Sequence, residues 1–307
     1  MNWSSEENIR ITYRLLNVKG YGCAQTNKLL WHISPSVSSS AQLEAAIKAS
    51  LKPEGKAMFE NDYTLNHSKL NVCYLSVMDD ELYPSQLIDA LHQNTPTVLS
   101  YIGNIDLLKK KSAGICGSRN VSEKGLWITK DCAAQLASND VCVVSGYANG
   151  VDLAAHKTAL ENGGTTIIVL PEGISTFSIR NELKEIWDWN RILVVSEFLP
   201  QDKWMVSRAM KRNQTIIGLS DIMLVIEAGE TGGSLDAGLK AMSMGKNLFV
   251  PCYTEIPESA AGNTQLLKKG AKPLMLSRST MRTGMDAVMA AVARPKHREY
   301  AQTEMVF

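Results

Sequence analysis

The N-terminal part of the chain carries apolar residues at helical spacing, interrupted by short polar or glycine-containing segments. Residues 9–16, 25–31, 41–49 and 51–61 each form such a run, which predicts four short helices. A loop at residues 83–84 precedes another helical segment, and residues 96–102 have the composition of a strand. We therefore expect a small helical module with a lead-in segment over residues 1–95.

From about residue 112 the pattern changes to short apolar strands that alternate with helical segments. The predicted strands are residues 113–117, 141–145, 165–170, 191–196, 221–226 and 246–250. They are continuously apolar and rich in β-branched residues, which is typical of a parallel sheet covered by helices on both faces. We predict an α/β fold with a doubly wound, mainly parallel sheet over residues 96–278, and a short helix and polar tail over residues 279–307. Ligands of such a sheet bind at the carboxyl ends of its strands.

Composition narrows the function classes. The 307 residues are 45% hydrophobic and 21% charged, and 32 Lys and Arg nearly balance 31 Asp and Glu. A net charge of +1 offers no field over the whole molecule, so any nucleic acid must be bound by a local basic patch. The longest aliphatic run, residues 222–226, is far short of the roughly 20 residues that span a bilayer.

Cysteine and histidine usage predicts neither disulfides nor a metal site. The six cysteines form no C-x-x-C pair, and the five histidines show no paired ligand spacing. The first residues are acidic and lack the apolar core of a signal peptide. We expect a cytoplasmic protein whose cysteines are small buried residues in a reducing compartment.

Candidate phosphate-binding residues follow the first predicted strand. Gly117 allows a close approach of the backbone, Ser118 comes next, and Arg119 is suited to a bidentate phosphate contact. The helix that begins a few residues later presents free N–H groups to an anion. The dinucleotide fingerprint G-x-G-x-x-G is absent from this segment, so on these residues alone a plain turn is an equal alternative.

A second glycine-containing connection, SGYANGVD, lies at residues 145–152. Ser145, Gly146 and Gly150 join a strand to a helix, which is where phosphate cradles occur. Asp152 falls in the first helical turn, and His156 follows one turn later. We expect Asp152 to complement the helix dipole and to hydrogen bond to His156. Acid–base chemistry by this pair is the alternative, although no Ser or Cys is spaced to complete a triad.

Two further segments complete the predicted site. Lys211, Arg212 and Asn213 lie in the most basic part of the α/β region, where a solvated helix face is the alternative explanation. Gly233 and Ser234 open a helix and suit an anion, although the acidic neighbour Glu230 argues slightly against an anion here. Four loops at one sheet edge predict a binding site.

In order along the chain, these motifs resemble the DNA-processing protein A (DprA/Smf) family over about residues 78–276. The motifs that carry the resemblance are DELYP (80–84), GSR (117–119), SGYANGVDLAAH (145–156), GGTTIIVL (163–170), SE (196–197), RNQTIIGLS (212–220), VIEA (225–228), GGSL (232–235), VP (250–251) and GN (262–263).

The resemblance implies an extended Rossmann-like fold behind a helical domain of the SAM or helix-hairpin-helix kind. It also implies a non-enzymatic single-stranded DNA-binding protein without a cofactor, which assists recombinase loading in DNA uptake, transformation or recombination. A RecA-type recombinase and a second copy of the chain are the implied partners. By position, Arg119 would contact phosphate, residues 145–150 and 233–234 would line the same pocket, and Lys211 and Arg212 would hold the strand.

The chain departs from the family pattern at four places. Gln214 replaces an arginine, and Asn149 replaces the pocket arginine. Ala209 and Met210 stand where the family has an aromatic residue and a proline, so a base-stacking platform is expected to be missing. About 25 residues follow the core, too few for the C-terminal winged helix of many members. The resemblance is therefore to a divergent member of the family.

Two other functions stay open on sequence grounds. A nucleotide-binding or nucleotide-hydrolysing Rossmann-like sensor or enzyme would use Glu227 as general acid–base, although the Pro-Gly-Gly-x-Gly-Thr signature is missing. Alternatively, the helical module docks a protein partner. The candidate anchors for such a partner are Trp31, Trp187, Trp189 and Trp204.

Overall fold

The structure, a computed structural model, describes residues 1–65, 70–79, 81–277 and 282–292. Its first part consists of the four predicted helices. They are α1 (Glu6–Leu16), α2 (Cys23–Ile33), α3 (Ser40–Ser50) and α4 (Pro53–Phe59). Ser5 caps α1 by accepting a hydrogen bond from the Asn8 N–H, and Ser39 caps α3 in the same way.

The strands form one nine-stranded sheet and a small two-stranded ribbon. The sheet strands are β1 (Cys73–Ser76), β2 (Val98–Gly103), β3 (Ser112–Cys116), β4 (Cys142–Ser145), β5 (Thr166–Val169), β6 (Ile192–Ser196), β7 (Ile222–Val225), β8 (Asn247–Pro251) and β9 (Lys272–Leu274). Their order is β1-β2-β6-β5-β4-β3-β7-β8-β9. The ribbon pairs β10 (Leu276–Ser277) with β11 (Arg282–Thr283).

Helices lie between the strands. They are α5 (Ser85–Leu91), α6 (Glu123–Ser138), α7 (Val151–Glu161), α8 (Val206–Leu219), α9 (Gly233–Ser243), α10 (Asn263–Lys268) and α11 (Asp286–Val292). Buried apolar clusters on both faces of the sheet confirm the predicted doubly wound α/β fold. The helix α11 confirms the predicted C-terminal helix, whereas the predicted basic tail lies outside the described residues.

The chain winds outward from β3 in both directions. It runs through β4, β5 and β6 on one side, and then returns to β7, β8 and β9 on the other. From β6 to β9 all neighbouring strands are parallel, whereas β1 and β2 are antiparallel additions at one edge. The strand order reverses between β3 and β7, so a crevice for ligands opens beyond their carboxyl ends.

The N-terminal helices and the sheet share a hydrophobic core. Leu15 and Leu30 lie in the same buried cluster as Leu75 on β1 and Ile216 on α8. The strand β1 was not predicted because only four residues form it and its first residue, Cys73, is exposed. The sheet therefore starts inside the segment assigned to the helical module, and the boundary at residue 95 stays a prediction.

The prediction of buried cysteines holds for three of the six, whereas Cys73 is exposed and Cys23 and Cys252 are half-buried. All six are free thiols, and Cys116, Cys132 and Cys142 are buried. Burial raises the pKa of each of these three thiols to about 12, so they are protonated at neutral pH. Across residues 1–65, 70–79, 81–277 and 282–292, no helix has the length and apolar character that a bilayer crossing requires.

Candidate nucleic-acid interface

A cleft of about 460 Å³ opens at the carboxyl ends of β3, β4 and β7, where the strand order reverses. Its walls are the loops that follow these strands and the first turns of α8. The predicted site residues that line it are Gly117, Ser118, Arg119, Asp152, Arg212, Asn213, Gly233 and Ser234. The structure thus brings together residues that are more than 100 positions apart in the sequence.

Two helices begin at the cleft with backbone N–H groups that no side chain caps. Gly232 precedes α9 with φ of +104°, and Gly150 precedes α7 with φ of +75°, conformations that favour glycine. A Cβ on Gly150 would lie 2.4 Å from the Ser118 carbonyl oxygen, so the loops after β3 and β4 touch here. At the start of α7 the Val151 N–H donates to the Ser118 carbonyl at 3.3 Å and the Leu153 N–H donates to the Ala148 carbonyl at 3.2 Å. The uncapped N–H groups at the start of α9, at the positive end of its dipole, suit an anion such as phosphate.

The predicted residues Ser145 and Gly146 support the cleft from below. The Ser145 hydroxyl donates to the Ile115 carbonyl at 2.6 Å and ties β4 to β3. At Gly146, a Cβ would lie 2.4 Å from Asp152 Oδ2 and 2.6 Å from Arg212 Nη2. Only glycine leaves room for this carboxylate and this guanidinium to lie side by side.

Arg212 lies at the base of the cleft and is only 6% exposed. Its Nη1 donates to the Val169 carbonyl, and its Nε has no hydrogen-bond partner in the described chain. Burial lowers the pKa of Arg212, and the charge of Asp152 opposes that shift. Burial likewise raises the pKa of Asp152, against the attraction of Arg212. The two opposite charges make each other's burial possible.

His156 is a structural residue, and its predicted hydrogen bond to Asp152 was wrong. Its Nδ1 is 2.6 Å from the Thr166 hydroxyl, and its Nε2 is 2.5 Å from the Gly146 carbonyl oxygen. The ring is fully buried, which lowers its pKa to about 4 and keeps it neutral. Asp152 instead accepts a hydrogen bond from the Ala148 N–H at 3.3 Å. The i,i+4 spacing predicted a contact between Asp152 and His156, but the His156 ring points to Thr166 on β5.

Glu227 lies outside the lining of the cleft, fully buried behind the loop after β7. Its carboxylate accepts from the Ser122 N–H at 2.9 Å and the Ser122 hydroxyl at 2.5 Å. The hydroxyls of Tyr253 and Ser259 donate to it at 3.0 and 2.6 Å. Four donors occupy the carboxylate, so it holds three chain segments together and is not available for acid–base chemistry.

The structure does not bring Lys211 to the cleft. Its ammonium lies 2.9 Å from the Glu197 carboxylate, whose side chain is 2% exposed, and 3.9 Å from the Cys23 sulfur on α2. Glu197 raises the pKa of Lys211 above its usual value against the effect of burial. Lys211 and Arg212 are neighbours on α8 and point to different faces of the helix, since successive helical residues are about 100° apart.

Trp204, a candidate on sequence grounds only as an anchor for a protein partner, borders the cleft. Its side chain is 46% exposed, and the Arg119 guanidinium carbon lies 5.8 Å from its ring centroid. The sequence predicts that a base-stacking platform is missing, because Ala209 and Met210 stand where the family has an aromatic residue and a proline. The structure places an exposed aromatic ring at the cleft from the preceding loop. Trp187 and Trp189 instead pack against each other, with 5.1 Å between their ring centroids. The side chain of Trp31 packs against the main core.

A second, smaller cavity of about 300 Å³ adjoins the cleft beyond the carboxyl end of β5. Arg180 lies in its wall, where its guanidinium donates to the Asn149 side chain and, at 2.7 Å, to the Tyr147 carbonyl. The same guanidinium lies 4.9 Å from the centroid of the Tyr147 ring. A cation from a distant loop therefore stands beside Asn149, a position that the sequence leaves uncharged.

The chain matches known proteins over the region that contains the cleft. The model of the family described as DNA recombination-mediator protein A matches residues 74–283. A DNA processing protein DprA of Streptococcus pneumoniae is 35% identical over 201 residues, which cover 64% of this chain and 69% of the relative. The aligned regions span between 47% and 62% of the other curated relatives that the chain matches.

Solved structures agree with the sequence matches. The X-ray structure of DNA processing protein A from Streptococcus pneumoniae has a TM-score of 0.69 at 26% identity, covering 88% of this chain and 94% of that one. The Helicobacter pylori DNA processing protein A, whose structure concerns its single-stranded DNA binding mode, has a TM-score of 0.57 at 27% identity. That match covers 66% of this chain and 91% of the other.

Proposed function

Because the chain belongs to the DNA recombination-mediator protein A family, we propose that it binds single-stranded DNA in the cleft between β3 and β7. The backbone phosphates of the strand lie against the uncapped N-terminus of α9, and Arg119 contacts them from the rim. The protein assists DNA processing in transformation or recombination by binding the strand, without catalysis and without a cofactor.

One observation carries this proposal: anion-binding groups converge on a chain whose net charge is only +1. Free helix N–H groups, an exposed arginine and the buried cation of Arg212 border a single cleft. A local site of this kind binds phosphate without a basic surface over the whole protein. The exposed Trp204 at the rim supplies a face on which a base stacks.

Fluorescence anisotropy with labelled single- and double-stranded oligonucleotides over a salt series tests the proposal. The wild type should prefer the single strand, with affinity that falls as salt rises. Arg119→Ala should weaken binding about tenfold and reduce the steepness of the salt dependence by about one phosphate contact. The matched control is Lys130→Ala, which removes an exposed cation on α6 outside the cleft lining and should leave affinity within about twofold.

Equal binding of single and double strands, or an Arg119→Ala protein that binds like the control, would contradict the proposed site. No binding of either strand form at low salt would contradict the proposed function itself.

The partners follow from the same proposal. A RecA-type recombinase receives the strand, and the protein acts as a homodimer in the cytoplasm. Six free cysteines are consistent with a reducing compartment. The occupied carboxylate of Glu227 supports a binding role over nucleotide hydrolysis, because this was the residue assigned to acid–base chemistry. Light scattering of the purified protein tests the homodimer. Pull-down of a purified recombinase by the DNA-bound protein tests the recombinase.

A further inference from the structure

We propose that Asn149 is a modification site, at which the side-chain amide is lost as ammonia through attack by the following residue, Gly150. The product is a carboxylate in the wall of the smaller cavity beside the cleft. The modification adds a negative charge where the bound strand passes and thereby lowers affinity. The reaction itself does not depend on the proposed function, whereas the loss of affinity rests on it.

The reaction needs only water as a co-reactant. The Gly150 backbone nitrogen loses its proton and attacks Cγ of Asn149, so that a new C–N bond forms, the bond from Cγ to Nδ2 breaks and ammonia leaves. Water then opens either carbonyl of the resulting succinimide ring. One opening gives aspartate, and the other gives isoaspartate, in which the main chain runs through the side-chain carboxyl. A glycine in the second position favours the attack because it has no Cβ to hinder it.

Gly150 is available as the nucleophile. Its N–H donates no hydrogen bond among the described residues, although the next N–H, that of Val151, donates to the Ser118 carbonyl. Asn149 is exposed, so water reaches the site. The glycine is also required by the fold, since its φ is +75° and a Cβ would lie 2.4 Å from the Ser118 carbonyl oxygen. The fold therefore keeps a reactive Asn-Gly pair at the surface.

Arg180 activates the amide of Asn149. Its Nη1 donates to the Asn149 Oδ1, and since a guanidinium has only donors, the oxygen and not the nitrogen of the amide faces it. A charged donor on this oxygen stabilises the negative charge that the oxygen carries once Cγ becomes tetrahedral, as oxyanion-binding donors do in acyl transfer. Gly150 also precedes α7, whose dipole favours negative charge at this end.

A second Asn-Gly pair, Asn162 and Gly163, serves as an internal comparison. There the Gly163 N–H donates to the Leu160 carbonyl at 3.1 Å, and the Asn162 Nδ2 donates to the Thr158 carbonyl at 2.8 Å. This nucleophile must lose a hydrogen bond before it can attack. The two pairs are equal in sequence, and the structure ranks the pair at residue 149 as the faster.

Incubation of the purified protein at pH 8 for several days, followed by mass spectrometry of tryptic peptides, tests the proposal. The two pairs lie in separate peptides, residues 131–157 and 158–180. In the folded protein, Asn149 should deamidate about tenfold faster than Asn162, because only the second pair must first break a hydrogen bond. In the urea-unfolded chain the two rates should agree within about twofold, because neither pair keeps its folded contacts.

Three variants separate the causes. Arg180→Ala removes the donor on the amide oxygen and should slow deamidation at Asn149 about threefold, with Asn162 unchanged. Asn149→Asp carries the charge of the product and should weaken single-strand binding about fivefold, because its carboxylate neutralises Arg180 and repels phosphate. The matched control is Asn162→Asp at an exposed position outside the walls of the cleft and the cavity, which should bind within about twofold of the wild type.

The outcomes separate the modification from the proposed function. Equal rates at the two pairs in the folded protein, or no reaction at Asn149, would overturn the modification site. An unchanged rate in Arg180→Ala would overturn the role of its guanidinium. An Asn149→Asp protein that binds the strand like its control would overturn the effect on affinity. Absence of strand binding by the wild type would overturn the proposed function and leave the modification site standing.

Discussion

The ends of β4 and β7 each bury one carboxylate, and they do so in different ways. Beyond β4, Asp152 lies beside the guanidinium of Arg212, and both residues border the cleft. Beyond β7, Glu227 lies behind the surface and accepts four hydrogen bonds from three chain segments. Glu227 lies in the loop after its strand, and Asp152 lies in the first turn of the helix after its strand.

The difference shows how a buried charge is used. Four hydrogen-bond donors occupy the acceptor positions of the Glu227 carboxylate. The carboxylate therefore connects the α6 N-terminus to the loops after β7 and β8. The charges of Asp152 and Arg212 face an open cleft, and Arg212 keeps an unpartnered Nε among the described residues. A saturated carboxylate stabilises the fold, whereas a shared and incomplete network can be reorganised by a ligand.

The largest expected loss of stability follows a substitution in the loop after β7. Glu227→Ala leaves the Ser122 N–H and three part-buried hydroxyl donors without their acceptor, which should lower the free energy of unfolding by about 3 kcal/mol. Urea unfolding at pH 7.5 measures it. Glu230→Ala removes an exposed carboxylate three residues later and should change stability by less than about 0.5 kcal/mol. Equal stability of the two variants would contradict the structural role of Glu227.

The next largest expected loss of stability follows a substitution of Asp152, in the first turn of α7. Asp152→Asn leaves the Arg212 charge buried without its opposite charge, which should cost about 2 kcal/mol of unfolding free energy. With saturating oligothymidylate the cost should shrink, because strand phosphates then compensate Arg212. Urea unfolding with and without the oligonucleotide measures both. A cost that is the same in both conditions would show that Arg212 does not respond to the ligand.

A fall in pH should lower the free energy of unfolding through His156, which is buried beneath the cleft. The pKa of His156 falls from 6.5 in the unfolded chain to about 4 in the folded protein, so protons bind preferentially to the unfolded state. Its contribution to stability is complete above pH 6.5 and is lost as pH falls towards 4. Between pH 7.5 and 5 the loss should be about 2 kcal/mol.

Urea unfolding of His156→Gln at both pH values should show a pH dependence reduced by that amount. The matched control His32→Gln, at an exposed position on α2, should keep the dependence of the wild type. An undiminished dependence in His156→Gln would mean that other groups cause the acid sensitivity.

The smallest expected effect separates two neighbours on α8. Lys211→Met removes the ion pair to Glu197 and should cost about 1 kcal/mol of unfolding free energy, because the Lys211 side chain is half exposed and Glu197 keeps the hydrogen bond from the Thr215 hydroxyl at 2.8 Å. Single-strand affinity should stay within about threefold of the wild type. Unfolding and anisotropy on the same samples measure both, with Lys130→Met as the control. A tenfold loss of affinity would place Lys211 on the path of the strand, as the sequence motif predicted.

The fold class could be predicted from the sequence, together with the edge of the sheet at which the candidate residues lie. Continuous apolar strands of four to six residues, separated by helices, require a covered parallel sheet, and the glycines after them require turns at its carboxyl edge. The pattern alone therefore assigns Arg119, Gly233 and Ser234 to one cleft, and the structure places them there. These features depend on local pattern and on the general geometry of parallel sheets.

The directions of the side chains and the residues that they contact depend on the tertiary structure. It turned Lys211 towards Glu197 and His156 towards Thr166. It also brought Trp204 and Arg180 to the cavity beside the cleft, from loops in which no motif marks them. The physical reason is that a side chain's partners come from distant segments whose approach depends on the packing of the whole core. Spacing along one helix or loop contains no information about those segments.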